Sequence, residues 1–192
     1  GKPRVDLELL EKYHEGLICL SACLAGAVPQ YLLNEDYEGA KKYALRLADI
    51  FGPERFYLEL QDHGLEEQLP VNQGVQRLAR ETGLPMIVTN DAHYLRREDA
   101  EMQDVLLCVQ TGKTVDDENR MKFSTDEFYL KSEEELRELF PNFDEAFENT
   151  VKIAEMCNLE FTFHEYHLPS FPVPEGFTNE KYFRKLCYEG FE

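Results

Sequence analysis

Residues 84–95 read LPMIVTNDAHYL. Met86, Ile87, Val88 and Thr89 form an apolar, β-favouring run, entered from the break at Gly83-Leu84-Pro85 and ended at Asn90-Asp91-Ala92-His93. A strand suited to a core thus finishes by presenting a carboxylate and an imidazole two residues apart. In parallel α/β folds, ligands gather at the carboxyl ends of strands, so this stretch suggests both an architecture and a site.

The segments on either side repeat the pattern. GLICLSACLAG (16–26) opens with a β-type apolar run, and DYEGAKKYALRLADIFG (36–52) has helical spacing closed by Gly52-Pro53. RFYLELQDHG (55–64) alternates as a half-buried strand would, and EEQLPVNQGVQRLARET (66–82) reads as a helix, entered in earnest after Pro70. After the opening stretch, 96–112 reads as a helix ending at Gly112. Residues 116–132 are polar and then extended, and 132–140 forms a helix with Ser132 and Glu135 as a capping box. A further helix over 143–158 and a short strand, EFTF (160–163), follow. β-then-α units at a spacing of roughly 30–40 residues predict parallel strands with crossover helices, either a barrel or a doubly wound sheet.

Bulk properties narrow the class. The chain has 192 residues, 43% of them hydrophobic, which suffices for a core. It has no apolar run of about eighteen residues, as a membrane span requires. With 38 acidic against 20 basic residues the net charge is −18, a surface that repels phosphate backbones and does not grip DNA strongly. Cys19, Cys23, Cys108, Cys157 and Cys187 are scattered and odd in number, as expected of reduced thiols in a cytoplasmic protein. From His164 the texture changes. Prolines at 169, 172 and 174 mark an extended linker that includes His167, and TNEKYFRKLCYEGFE reads as an amphipathic helix capped by Thr178 or Asn179. A start without Met and an end at the close of a helix suggest a piece of a longer protein.

Three strand ends carry chemistry. The first offers Ser21 and Cys23; the second Glu59, Gln61, Asp62 and His63; the third Asn90, Asp91 and His93. In an extended segment residues i and i+2 share a side, so Asp91 and His93 would aim one oxygen and one nitrogen donor at a single point, a set suited to Zn, Mn or Fe. Alternatively, Asp91 caps the helix that begins near Arg97 and His93 is a turn residue. Cys23 is either a ligand or a small buried hydrophobe. His63 is a ligand, a substrate contact or a turn residue before Gly64. Glu59 faces solvent or a barrel interior.

The segments GLICLSACLAGAVPQ, FYLELQDHG, LPMIVTNDAHYL, DVLLCVQTGKTVDD and FYLKSEEEL closely resemble, in order, parts of the PHP (polymerase and histidinol phosphatase) domain of the alpha subunit of bacterial DNA polymerase III. The ending YHLPSFPVPEGFTNEKYFRKLCYEGFE resembles the passage from that domain into the polymerase palm. The resemblance implies an incomplete, distorted (β/α)7 barrel over residues 1–163, a linker over 164–176 and the start of the palm region over 177–192. It implies a cluster of divalent metal ions (Zn, Mn or Mg) to which Cys23, Asp91 and His93 contribute, with Glu59, His63 and Asn90 touching substrate or supporting the ligands.

The family's early His-x-His does not occur here, so metal binding by the chain alone is expected to be weak or absent and the chain alone inactive. The parent activity implied is template-directed DNA synthesis, with DNA and other replicase subunits as partners and a 3′→5′ proofreading exonuclease as the proposed work of the barrel. The rival readings are a stand-alone PHP phosphatase acting on small phosphate esters and a non-catalytic scaffold within the polymerase.

Overall fold

The computed structural model describes residues 4–166 and 168–191, so His167 lies outside the described residues. Two compact units divide the chain, residues 1–157 and 158–192. Among the described residues no helix is long and apolar enough to cross a membrane.

The first unit is α/β, with a parallel three-stranded sheet. Helix α1 (Leu7–Tyr13) starts at Asp6, whose carboxylate accepts from the Leu9 amide at 2.9 Å. Strand β1 (Cys19–Leu20) is followed by α2 (Ala27–Leu33) and α3 (Tyr37–Phe51), then β2 (Phe56–Leu60), α4 (Gln68–Thr82) and β3 (Met86–Val88). A short 3₁₀ turn (Arg97–Asp99) leads into α5 (Ala100–Thr111), and α6 (Glu133–Leu139) and α7 (Asp144–Met156) complete the unit. The strand order is β1-β2-β3, with Cys19 beside Phe56, Leu58 beside Met86 and Leu60 beside Val88. The parallel β-α alternation read from the sequence is therefore present, and all three carboxyl ends lie at one edge of the sheet.

Local chemistry sets the boundaries. Asp36 caps α3 through the Gly39 amide at 2.8 Å. Gly83 and Gly112 take left-handed φ of 72° and 66° at the ends of α4 and α5, where a residue with a Cβ is strained. Pro70 sits in the first turn of α4, where its missing N–H costs nothing, so the helix begins before the proline rather than after it. The Ser132–Glu135 capping box forms as expected.

Four expectations are corrected. Strand β2 is buried at all five residues rather than alternately. It is the middle strand: Phe56, Leu58 and Leu60 join the core under the helices, while Tyr57 and Glu59 are buried on the opposite face. The run at 16–26 yields only two strand residues, because Ala22 turns left-handed (φ 68°) and Gly26 already starts α2. Helices α1 and α2 were not anticipated. Residues 160–163 form no strand, since β propensity without a neighbour to complete the ladder does not fix a strand.

The main core packs α2, α3, α4 and α7 against one face of the sheet, with Ala40, Ala44, Phe56, Leu58, Leu60, Val75 and Leu78 sealed from solvent or nearly so. Asn149 of α7 pins β3 by donating to the Met86 carbonyl at 2.7 Å. In the second unit, the Thr178 hydroxyl accepts from the Lys181 amide at 3.3 Å and caps α8 (Asn179–Glu189), the first of the two cap residues the sequence offered. Tyr182 of that helix packs against Phe171 and Phe177.

Candidate functional site

The site is the sheet edge where the three strands end. At the end of β3, Asp91 Oδ1 lies 3.3 Å from His93 Nε2, so these two side chains meet. Their meeting does not come from extended spacing. Strand β3 stops at Val88 and Asp91 has φ 35°, so a left-handed turn brings the two together. The His93 amide donates to the Phe128 carbonyl at 2.7 Å, and its ring packs on Phe123 at 4.8 Å and Phe128 at 5.6 Å. Asp91 does not cap the following helix; the Arg96 amide is held instead by the Asp99 carboxylate at 3.0 Å.

His63 stands behind this turn and is 1% exposed. The Gln68 Oε1 accepts from the His63 backbone amide at 2.7 Å, which fixes the orientation of the carboxamide. The Gln68 Nε2 therefore donates to His63 Nδ1 at 2.8 Å, and His63 Nε2 carries the proton that it donates to the Asn90 carbonyl at 2.8 Å. The ring stacks on Phe128 at 4.5 Å. Burial lowers the imidazole's pKa, partly offset by the Asn90 hydrogen bond. Both ring nitrogens are occupied by hydrogen bonds, so His63 is not a free turn residue. It anchors the backbone immediately before Asp91. Asn90 itself donates to the Lys131 carbonyl at 3.2 Å.

Glu59, 8% exposed, is turned inward and not to solvent. Its Oε1 accepts from the Thr89 hydroxyl at 2.7 Å and from Gln61 Nε2 at 3.4 Å, its Oε2 accepts from the Ala22 amide, and its own amide donates to Ser21 Oγ at 2.8 Å. Ser21 was among the polar strand-end residues read from the sequence, whereas the contributions of Thr89 and Gln68 had no signal there. At the end of β1, Cys23 is half-buried and lines a cavity of about 10 Å³ with Glu59, Gln61 and Gln68. The neighbouring Cys19 thiol is pushed up to about 11 by burial and by the Glu59 carboxylate, so it stays protonated.

Among the described residues no three His, Cys, Asp or Glu side chains gather as a metal would need. The expected convergence of Cys23 with Asp91 and His93 is thus not found among the described residues. One carboxylate and one imidazole form a partial donor set, whereas zinc-type sites use three or four donors. The described residues do not by themselves fit a divalent metal.

The PHP domain family matches residues 1–63. DNA polymerase III subunit alpha of Borreliella burgdorferi is 46% identical over 193 residues, covering 100% of this chain. This chain is similar along its whole length to DNA polymerase III alpha subunits. The Treponema pallidum protein of the same name is 46% identical over 98% of the chain, and that of Thermus aquaticus 44% over 98%. The chain spans 17% of the length of the first of these relatives and 16% of the other two. Asp91 and His93 lie beyond the PHP match but within the stretch aligned with the Borreliella burgdorferi protein.

Proposed function

We propose that this chain is part of a replicative DNA polymerase of the alpha-subunit type, a DNA-directed nucleotidyltransferase of the cytoplasm. Its partners through the whole protein are DNA and other replicase subunits. The observation that carries this reading is the 46% identity sustained over the whole chain. Residues 1–163 belong to a distorted (β/α)7 PHP barrel, of which β1, β2 and β3 are three strands, followed by a linker over 164–176 and the beginning of the palm region. The parallel sheet with its polar carboxyl edge supports that placement.

Asp91 and His93 are this chain's contribution to a phosphoesterase site in the barrel. Asp91 offers a hydrogen-bond acceptor and negative charge beside the His93 imidazole, a pairing able to orient the ring and hold or move a proton at Nε2. Divalent metal in the complete protein would supply the Lewis acidity. The second reading, a scaffold without chemistry, is favoured by the partial donor set.

The test uses the complete polypeptide that contains this chain. Template-dependent primer extension is expected, and its absence refutes the polymerase assignment. Asp91→Ala and His93→Ala are each expected to lower removal of a mispaired 3′ nucleotide by about tenfold or more, the scale of lost acid-base or ligand groups, while primer extension stays within about twofold. Exonuclease unchanged in both variants, or absent from the parent, leaves the scaffold reading.

A further inference from the structure

Glu59 is a buried carboxylate that the site as described does not use for chemistry. Among the described residues no Lys, Arg or His lies within ion-pair distance of it. Its two oxygens instead bind groups from both neighbouring strand ends. Oε2 takes the amide of Ala22, next to Cys23, and Oε1 takes the hydroxyl of Thr89 at 2.7 Å, two residues before Asp91. The Glu59 amide is held by Ser21 Oγ at 2.8 Å, so backbone and side chain of one residue grip β1 from the middle strand.

Both loops gripped in this way contain left-handed residues that are not glycine, Ala22 at φ 68° and Asp91 at φ 35°. Such conformations are disfavoured for residues with a Cβ and persist only where the surroundings enforce them. The enforcement on the β1 side is also steric: a Cβ on Gly26 would stand 2.4 Å from the Ser21 carbonyl oxygen, so the loop is folded tightly over the strand end. Hydrogen bonds to a charged acceptor are stronger than neutral ones, and in a buried setting the two loops share one acceptor.

We infer that Glu59 is a positioning residue that couples the β1 loop to the Asp91–His93 turn, so that neither takes its observed geometry independently of the other. The coupling bears on function through the reading of Asp91 and His93 given above, but it is measurable without that reading. In this chain, hydrogen exchange of the Ala22 amide reports one arm and the backbone resonances of Asp91 and His93 report the other.

Glu59→Leu, which keeps bulk and removes both acceptors, is expected to speed Ala22 exchange by roughly tenfold or more and to shift the Asp91 and His93 resonances, with Val75 and Leu78 of α4 still protected. Glu59→Gln, whose carboxamide can accept from Ala22 and donate to Thr89, is expected to restore both. Should Glu59→Leu not fold, Thr89→Val cuts one arm alone and is expected to move the Asp91 and His93 resonances while Ala22 stays protected. Unchanged Ala22 exchange in Glu59→Leu overturns the inference, as do unmoved Asp91 and His93 resonances in Glu59→Leu or Thr89→Val, or a Glu59→Gln variant that behaves like Glu59→Leu. Titration with Mn²⁺, read as paramagnetic broadening at His93, examines the cation-binding role of the pair separately. Its absence counts against that role and leaves the coupling standing.

Discussion

Replacing His63 by alanine removes the anchor beneath the Asp91 turn, and the structure sets the size of the loss. Two hydrogen bonds of 2.8 Å disappear, from Gln68 and to Asn90. Each contributes about 1 kcal/mol net, and the buried donor and acceptor left behind cost about 1–3 kcal/mol where water cannot reach them. The ring also leaves its stack on Phe128 at 4.5 Å, a contact of about 0.5–1.5 kcal/mol. Allowing for overlap among these terms, His63→Ala should lower the unfolding free energy by about 3–5 kcal/mol, a large share of the roughly 5–15 kcal/mol of a domain.

The same residue sets a pH dependence with a defined sign. Its folded pKa lies below the ordinary 6.5, because burial penalises the charged ring by more than the Asn90 hydrogen bond favours it. As pH falls, the unfolded chain takes up the proton first. The His63 contribution to stability is therefore complete above about pH 6.5 and is lost as pH falls through the folded value. Urea unfolding followed by far-UV circular dichroism at pH 7.5 and 5.5 measures both effects. The wild type should lose stability toward the lower pH by more than His63→Ala does. A cost below about 1 kcal/mol, or an identical pH slope in the two proteins, refutes the derivation.

Two further substitutions examine the frame around the site. Gly26→Ala places a Cβ 2.4 Å from the Ser21 carbonyl oxygen, a backbone atom that cannot swing aside, and should cost about 1–3 kcal/mol or more by denaturant unfolding. It should also raise the reactivity of Cys23 toward a thiol reagent as the β1–α2 loop is forced open. Ser132→Ala removes the hydroxyl that accepts from the Glu135 amide and half of the capping box, and should cost about 1 kcal/mol by the same measurement.

The parallel β-α succession was legible because each element carried its own local signal. The apolar runs at Phe56–Leu60 and Met86–Val88, the helical spacing closed at Gly52, Gly83 and Gly112, and the capping box at Ser132 are all short-range patterns. The two helices that escaped, Leu7–Tyr13 and Ala27–Leu33, are each seven residues long, too short to be stable alone, and owe their form to packing. The pairing of Asp91 with His93 was also legible as proximity, although through the wrong conformation. The spacing of two suggested an extended strand, and a left-handed turn delivers the contact instead.

By itself the sequence determined the similarity to DNA polymerase III alpha subunits, the parallel architecture and the row of polar residues at three strand ends, because patterns of residues along the chain carry all of these. Tertiary structure alone decided which of those polar groups meet. It placed Cys23 with the β1–α2 loop, closed both nitrogens of His63 in hydrogen bonds, and set the Glu59 carboxylate between Ala22 and Thr89. The physical reason is that a buried polar atom takes its partner from whatever chain segment packing brings within hydrogen-bond reach. The partners of Glu59 stand 37 and 30 positions away in the sequence, beyond any local pattern.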